Sequence, residues 1–295
     1  MAKTREIKKR IKAVDNIRRI TKTMQMIATS KFARAQQASV ASKPYTGALF
    51  QLVTELSQVD GVSHPLLAVG NETRPGKELT LLITSDRGLC GPYNGATLRA
   101  FTSFIRANAS AKNGLIELIG KKGAGALKYM GIPVSKQHTH FTDKVSYQHV
   151  QELAQSYVDR FLAGEISRVR VVYMKYVSAS RQTPTIMQIV PFQPDALPAG
   201  AVKAAKPTTT AQYEFSPDAS ELLGDLLPAA VKAVLFQAFN DAVVSEHVAR
   251  MVAMKSATDN AGKAGKRLTT VYNRARQAQI TTELTEIISG AAALA

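Results

Sequence analysis

Apolar residues recur at spacings of three and four along both ends of this chain, and between those ends the pattern changes. The C-terminal run from Ala219 to Gly290 holds one early proline, Pro228, and none after it. Its apolar positions include Leu227, Val231, Val234, Ala238, Ala242, Val248, Val252, Leu268, Val271, Ala275 and Ala278. A mean spacing near 3.5 asks for a partner helix along a narrow seam. At about 1.5 Å per residue this helix reaches roughly 100 Å, too long to lie on one small globular core. The partner is the N-terminal stretch from Lys3 to about Leu56, where Ile7, Ile11, Val14, Ile17, Met24, Ile27 and Phe32 keep the same spacing and only Pro44 and Gly47 interrupt. An antiparallel pair leaving a middle domain near Leu56 and Ala219 gives facing positions that sum to about 275, with Met24 opposite Arg250 or Met251 and Met1 opposite about Arg274. The residues beyond form a single-helix tip of roughly 30 Å that needs a socket on a partner.

Between the helices the period shortens. ELTLLITS (Glu78 to Ser85) predicts a strand, followed by a loop from Asp86 to Tyr93 and a helix from Asn94 to about Asn108. LIELIG (Leu115 to Gly120), a helix over Lys121 to Met130, a short strand near Thr139 to Phe141 and a helix from about Ser146 to Leu162 follow. Arg168 to Ser178 and Thr183 to Phe192 read as two long strands joined by a turn. The alternation predicts a small, partly parallel sheet with helical cover. Pro194 to Ser216 reads as a connector with an extended piece at Tyr213 to Phe215. The expected class is α/β: a long antiparallel coiled coil of the terminal helices, residues 1–57 and 219–295, plus a central Rossmann-like domain over 58–218.

Composition narrows the function. With 45% hydrophobic residues, no Trp and one cysteine, Cys90, the chain excludes internal disulfides and multi-cysteine metal sites. No run approaches the apolar length of a membrane span, and the amino terminus enters its helix without a signal-peptide core. The net charge of +16 is uneven. Lys3, Arg5, Lys8, Lys9, Arg10, Lys12, Arg18, Arg19, Lys22, Lys31, Arg34 and Lys43 crowd the first helix against Glu6 and Asp15, a stripe that attracts an anionic surface.

Chemistry is sparse. SDRGLCGPYN (Ser85 to Asn94) is glycine-rich but matches neither the dinucleotide fingerprint nor the phosphate cradle of nucleotide-binding loops. Cys90 reads as a small core or loop thiol rather than a nucleophile served by His138, His140 or His149. His138 and His140, two apart on a strand, lack a third metal ligand and read as surface histidines. Glu246 and Arg250 form an i, i+4 pair beside His247 on a solvated face. Gly262 and Gly265 each cost a helix interior about 1 kcal/mol, so either the helix breaks there or another backbone passes close.

Four segments carry a resemblance. ITKTMQMIATSKF (Ile20 to Phe32), SDRGLCGPYN, SEHVARMVAMKSATDNAG (Ser245 to Gly262) and YNRARQAQITTELTEIISGAAA (Tyr272 to Ala293) resemble the gamma subunit of the F-type ATP synthase, in its bacterial form. The resemblance implies a non-catalytic rotor with no cofactor. Its helix pair is an axle inside a ring of alpha and beta subunits, and its middle domain sits with the epsilon subunit on the membrane ring of c subunits. By this resemblance Met24, Arg250, Arg276 and Gln277 meet polar or acidic loops of the beta subunits. Tyr213, Glu214, Phe215 and Asp218 form the foot on the c ring, with Phe215 and Ser216 departing from residues some relatives carry. The implied location is the cytoplasmic face of the bacterial inner membrane, peripheral through the complex. The rival reading is a basic coiled-coil nucleic-acid-binding protein, against which the basic helix lacks interleaved aromatics.

Overall fold

The computed structural model describes residues 2–57, 64–67, 76–141, 145–193 and 218–294. In chain order the elements are α1 (Ala2–Ser57), β1 (Lys77–Ile83), α2 (Tyr93–Ala107), α3 (Ala109–Lys112), β2 (Leu115–Ile119), α4 (Lys121–Tyr129), β3 (Lys136–His138), α5 (Tyr147–Leu162), β4 (Ile166–Tyr176), β5 (Gln182–Val190) and α6 (Ala219–Leu294). The chain divides into two compact units, Met1–Ser30 with Arg250–Ala295, and Lys31–Ala249.

In the first unit the helices pair antiparallel. The buried positions of α1 are Ile7, Thr21 and Ala28, and those of α6 are Met254 and Ala261. Thr258 Oγ1 donates to Thr21 Oγ1 at 2.8 Å, and Thr4 Oγ1 donates to Gln279 Oε1 at 3.1 Å. These contacts shift the pairing by about one helical turn from the expected register, so Met24 stands level with about Ser256, not with Arg250 or Met251. The seam is also narrower and smaller than the apolar pattern implied. Ile17, Ile27, Val252 and Val271 are about half exposed, while threonine, alanine and glycine fill the contact. Small residues let the two backbones approach, and apart from Ile7 and Met254 the larger apolar side chains are left partly or largely outside.

The glycines belong to that seam. Helix α6 continues unbroken through Gly262 and Gly265. A Cβ on Gly262 would lie 4.0 Å from Arg18 Nε, and one on Gly265 would lie 3.9 Å from Val14 Cγ1. The close neighbours are therefore side chains of α1 at ordinary contact distance, and neither a break nor a passing backbone explains the glycines.

The second unit is built on a five-stranded sheet in the order β3-β2-β1-β4-β5. The first four strands are parallel and β5 returns antiparallel to β4. Alternation along β1 sets the layers: Leu79, Leu81 and Ile83 join a core with α5 and this unit's parts of α1 and α6, while Leu82 packs with Phe101 and Ile105 of α2, Leu118 and Leu127 on the other face. The short edge strand lies at Lys136–His138 rather than Thr139–Phe141, because Ser135 N donates to Ile116 O and starts the pairing three residues early. One 18-residue window of α6 reaches a mean hydropathy of 1.5, enough by composition to cross a membrane, contrary to the reading of the sequence. Of that window 44% is buried, and Leu223, Leu227, Val231 and Leu235 of this helix pack in the unit's own core.

Two buried polar clusters cross these layers. Glu117, on β2, accepts hydrogen bonds from Tyr157 Oη at 2.8 Å and Arg160 at 2.9 Å, and its carboxylate lies 2.7 Å from His138 Nε2. Between α1 and α6, Ser39 and Gln237 donate to Asp241 Oδ1 at 3.3 and 2.9 Å, and Ser42 donates to Gln237 at 2.9 Å. A polar layer in a helix pair fixes register, since sliding would leave buried donors unmatched.

Candidate partner-binding site

The glycine-rich turn after β1 and, beside it, the start of α4 after β2 stand where an α/β sheet often holds a nucleotide, and at α4 no phosphate cradle is left. A cradle needs free backbone amides at a helix start. At α4 the amide of Lys121 donates to Asp86 Oδ1 at 3.1 Å, that of Lys122 to Ser85 O at 3.0 Å and that of Gly123 to Thr84 Oγ1 at 3.0 Å. Gly120 and Gly123 are required by packing, because a Cβ on either would lie under 3 Å from Thr84. The cavity beside the strand ends, between Ile83, Tyr93, Phe141 and Phe239, is about 30 Å³. That holds a water or two, far below the several hundred Å³ of a ligand pocket.

Cys90 is buried in this turn, accepting from Asn94 Nδ2 at 3.3 Å and packing with Tyr93, Met174 and Ala249. No histidine is among those partners. His138 is taken up by Glu117, and His140 instead neighbours His149 with ring centroids 6.3 Å apart, so the two histidines diverge. No cluster of three metal-ligating side chains occurs among the described residues. His247, expected on a solvated face, is buried, and Glu246 lines the small cavity.

What the chain presents outward is surface of another kind. On α1, Ile17, Ile20 and Ile27 are 51–59% exposed, and with half-buried Met24 they form a second stripe at helical spacing, away from the seam. The cations around it are exposed too, while the two acids nearby are engaged: Glu6 pairs with Arg10 at 2.5 Å and Asp15 with Arg19 at 3.6 Å. Beyond Gln279, α6 continues as a lone helix. All side chains from Ile280 to Ala292 are exposed, and Ile280, Leu284, Ile287 and Ile288 line one face of it. The single-helix part is therefore about 20 Å long, shorter than the register of the sequence reading gave. The sequence reading foresaw the tip as a face needing a socket, and missed the stripe on α1 by taking Ile17 and Ile27 into the seam.

A family model described as ATP synthase matches residues 3–294. The ATP synthase gamma chain of Rhodopirellula baltica is 38% identical over 296 residues, covering 100% of this chain and 99% of that one. The gamma chain of Exiguobacterium sibiricum is 39% identical, with 99% of each chain covered. The chain belongs to the ATP synthase gamma chain family. Its fold agrees with solved structures of that assembly. The rotor of Euglena gracilis mitochondrial ATP synthase matches with a TM-score of 0.59 at 16% identity over 95% of this chain and 99% of that one. The central stalk and c-ring structure from Tetrahymena thermophila matches with a TM-score of 0.55 at 17% identity, over 81% and 99%.

The structure distributes the candidate partner-binding residues of the sequence reading unevenly. Met24 and Arg250 are half-buried, and Arg276 and Gln277 are exposed on α6 shortly before the lone tip. Tyr213, Glu214 and Phe215 lie outside the described residues. Asp218 is exposed and caps α6: Ser220 Oγ donates to its Oδ2 at 2.7 Å, and this bond, with the amides of Ala219 and Ser220, holds the carboxyl below its usual range.

Proposed function

We propose that this gamma chain is the central-stalk rotor of a bacterial proton-translocating F-type ATP synthase, coupling rotation of the c ring to conformational change at the catalytic beta subunits. The observation that carries the reading is the lone end of α6 with its exposed apolar face, in a chain of the gamma family. A side that buries nothing on its own chain is made to turn in another. The alpha and beta subunits form that socket, and the epsilon subunit and c ring hold the middle domain. Met24, Arg250, Arg276 and Gln277 face the beta subunits, and Tyr213, Glu214, Phe215 and Asp218 form the foot. The chain is peripheral at the cytoplasmic face of the inner membrane and makes no ATP itself. The basic helix steers toward acidic loops through long-range attraction, which needs no fixed interface and permits turning. A nucleic-acid role gains no support from the family.

The test exploits the single thiol. With Cys90→Ser as background, Met24→Cys is cross-linked to a beta subunit and, separately, Glu214→Cys to the c ring. Parts that turn together tolerate a bond, so the c-ring cross-link leaves ATP-driven turnover largely intact. The beta cross-link stops turnover, and reductant restores it. Undiminished multi-turn hydrolysis with the beta cross-link formed in high yield overturns the rotor.

A further inference from the structure

The outer α2–α4 layer of the second unit carries charge that the sheet's topology gathers at one edge. Because β1, β2 and β3 are parallel, their amino ends lie side by side, about 4.8 Å between neighbouring strands. At that edge stand Lys77, the first residue of β1, and Lys136, the first residue of β3. Helices α2 and α4 run back to the same edge and end there with Arg106 and Lys128, and α3 ends with Lys112 immediately before β2. All five cations are exposed. Among the described residues, the carboxylates beside this edge are engaged: Glu78 is buried against Arg170 and Ser110, and Glu165 pairs with Arg160.

Among these cations is exposed apolar surface. Tyr129 is 93% exposed and Met130 46%, directly after Lys128, at a turn where Gly131 has φ 68. An amphipathic aromatic ring and a flexible thioether flanked by lysines match the chemistry of the boundary between phospholipid headgroups and acyl chains, where tyrosine settles and lysine reaches outward to phosphate. The cations sit at the ends of separate elements, each on its own long side chain. That arrangement suits many mobile phosphates better than a fixed set of carboxylates or a nucleic-acid strand, which a tracking groove would serve.

We propose that the amino edge of the parallel sheet, formed by Lys77, Arg106, Lys112, Lys128, Tyr129, Met130 and Lys136, is a docking surface for an anionic phospholipid membrane. It stands on this surface alone and does not depend on the rotor reading. On binding, Tyr129 enters the headgroup layer while the five cations cover it with positive charge. The contact is electrostatic at long range and weakens as salt shortens the screening length.

The absence of tryptophan gives the test a clean reporter. In the full chain carrying Tyr129→Trp, emission shifts to the blue on vesicles rich in phosphatidylglycerol and is quenched by brominated acyl chains. Neither occurs on neutral phosphatidylcholine, and both fade toward 1 M salt, where the Debye length is about 3 Å. In a separate chain, Leu89→Trp, in the turn at the opposite end of β1, stays unquenched. Replacing the five edge cations by Gln in the Tyr129→Trp chain abolishes its signal, with vesicle affinity through this edge falling on the order of 10³-fold. The basic first helix can draw the chain to vesicles by another face, so both reporters are repeated with Lys8, Lys9, Lys12 and Lys22 changed to Gln, and the edge reporter keeps its signal. No quenching of the edge reporter in either background, quenching that survives loss of the five cations, or equal quenching of the Leu89→Trp control overturns the proposal, as does an edge signal produced only by DNA or by an acidic peptide.

Discussion

Two buried carboxylates in one unit show how the sign of a pKa shift follows from its surroundings. Burial alone raises Glu117, but the bonds from His138, Tyr157 and Arg160 outweigh it and hold the carboxyl below its ordinary value. A depressed folded pKa contributes stability that is fully present above the unfolded value, near pH 4.5, and is lost as pH falls through the folded one. Glu117→Gln should therefore destabilise the chain at pH 7 by about 3 kcal/mol, leaving Arg160 with only the exposed Glu165, and flatten the acid limb of the unfolding profile. Asp241 is the reverse case. Burial raises it, and Lys43, Gln237, Ser39 and Lys175 recover only part of that cost. Its protonated form is favoured on folding, so the benefit exists below the unfolded pKa and disappears as pH rises through the folded one. Asp241→Asn keeps the acceptor for Ser39 and Gln237 and sheds the buried charge. The expected outcome is equal or greater stability at pH 7, by up to about 1 kcal/mol, measured by urea unfolding. A loss above that would mean Lys43 and Lys175 dominate the site. At the seam, Gly262→Ala and Gly265→Ala should each stabilise by about 1 kcal/mol, because a Cβ meets nothing closer than 3.9 Å.

Elements were readable in the sequence to the extent that one periodicity dominated them. Both long helices, the strand of ELTLLITS and the long pair β4 and β5 emerged from spacing alone. The short strand was misplaced because three residues carry no period, and α3 was missed for the same reason. Register failed differently. A repeat of 3.5 looks the same after sliding by a turn, and what chooses among those positions is specific: Thr21 with Thr258, Thr4 with Gln279. The same ambiguity hid the stripe on α1, since Ile17 and Ile27 were taken into the seam that threonine and alanine occupy. The tip follows from the corrected register. Residues Thr281 to Leu294 make about four turns of lone helix, which is marginal in water. Glutamyl endopeptidase should cut the free chain after Glu283 and Glu286 and spare the assembled complex. Equal rates in both states would remove the socket. Ile287, 72% exposed, should tolerate alanine within about 0.5 kcal/mol in the free chain while weakening assembly.

For the whole molecule the governing quantity is charge, a net +16 distributed mostly over faces that bury nothing. Charge of that size acts before contact. It raises the rate at which the chain finds an acidic partner, and it acts over a Debye length of about 10 Å at 0.1 M salt, so the rate is set by ionic strength. Contacts formed after docking, by contrast, set the rate of leaving. Mixing the chain with the catalytic ring of alpha and beta subunits in a stopped-flow instrument separates these. The association rate constant should fall by tenfold or more between about 20 mM and 0.5 M salt, with dissociation nearly unchanged. Changing Lys8, Lys9, Lys12 and Lys22 to Gln should lower association at low salt toward the high-salt value and leave dissociation alone, because these side chains are exposed outside the helix seam. Changing Leu284 and Ile287 to Ala should do the opposite, speeding dissociation with little effect on association. If the lysine changes instead raise dissociation as much as the tip changes do, the basic helix makes fixed, close ion pairs with the ring. A shaft held that way would have to break them at every step, and steering would no longer account for its charge.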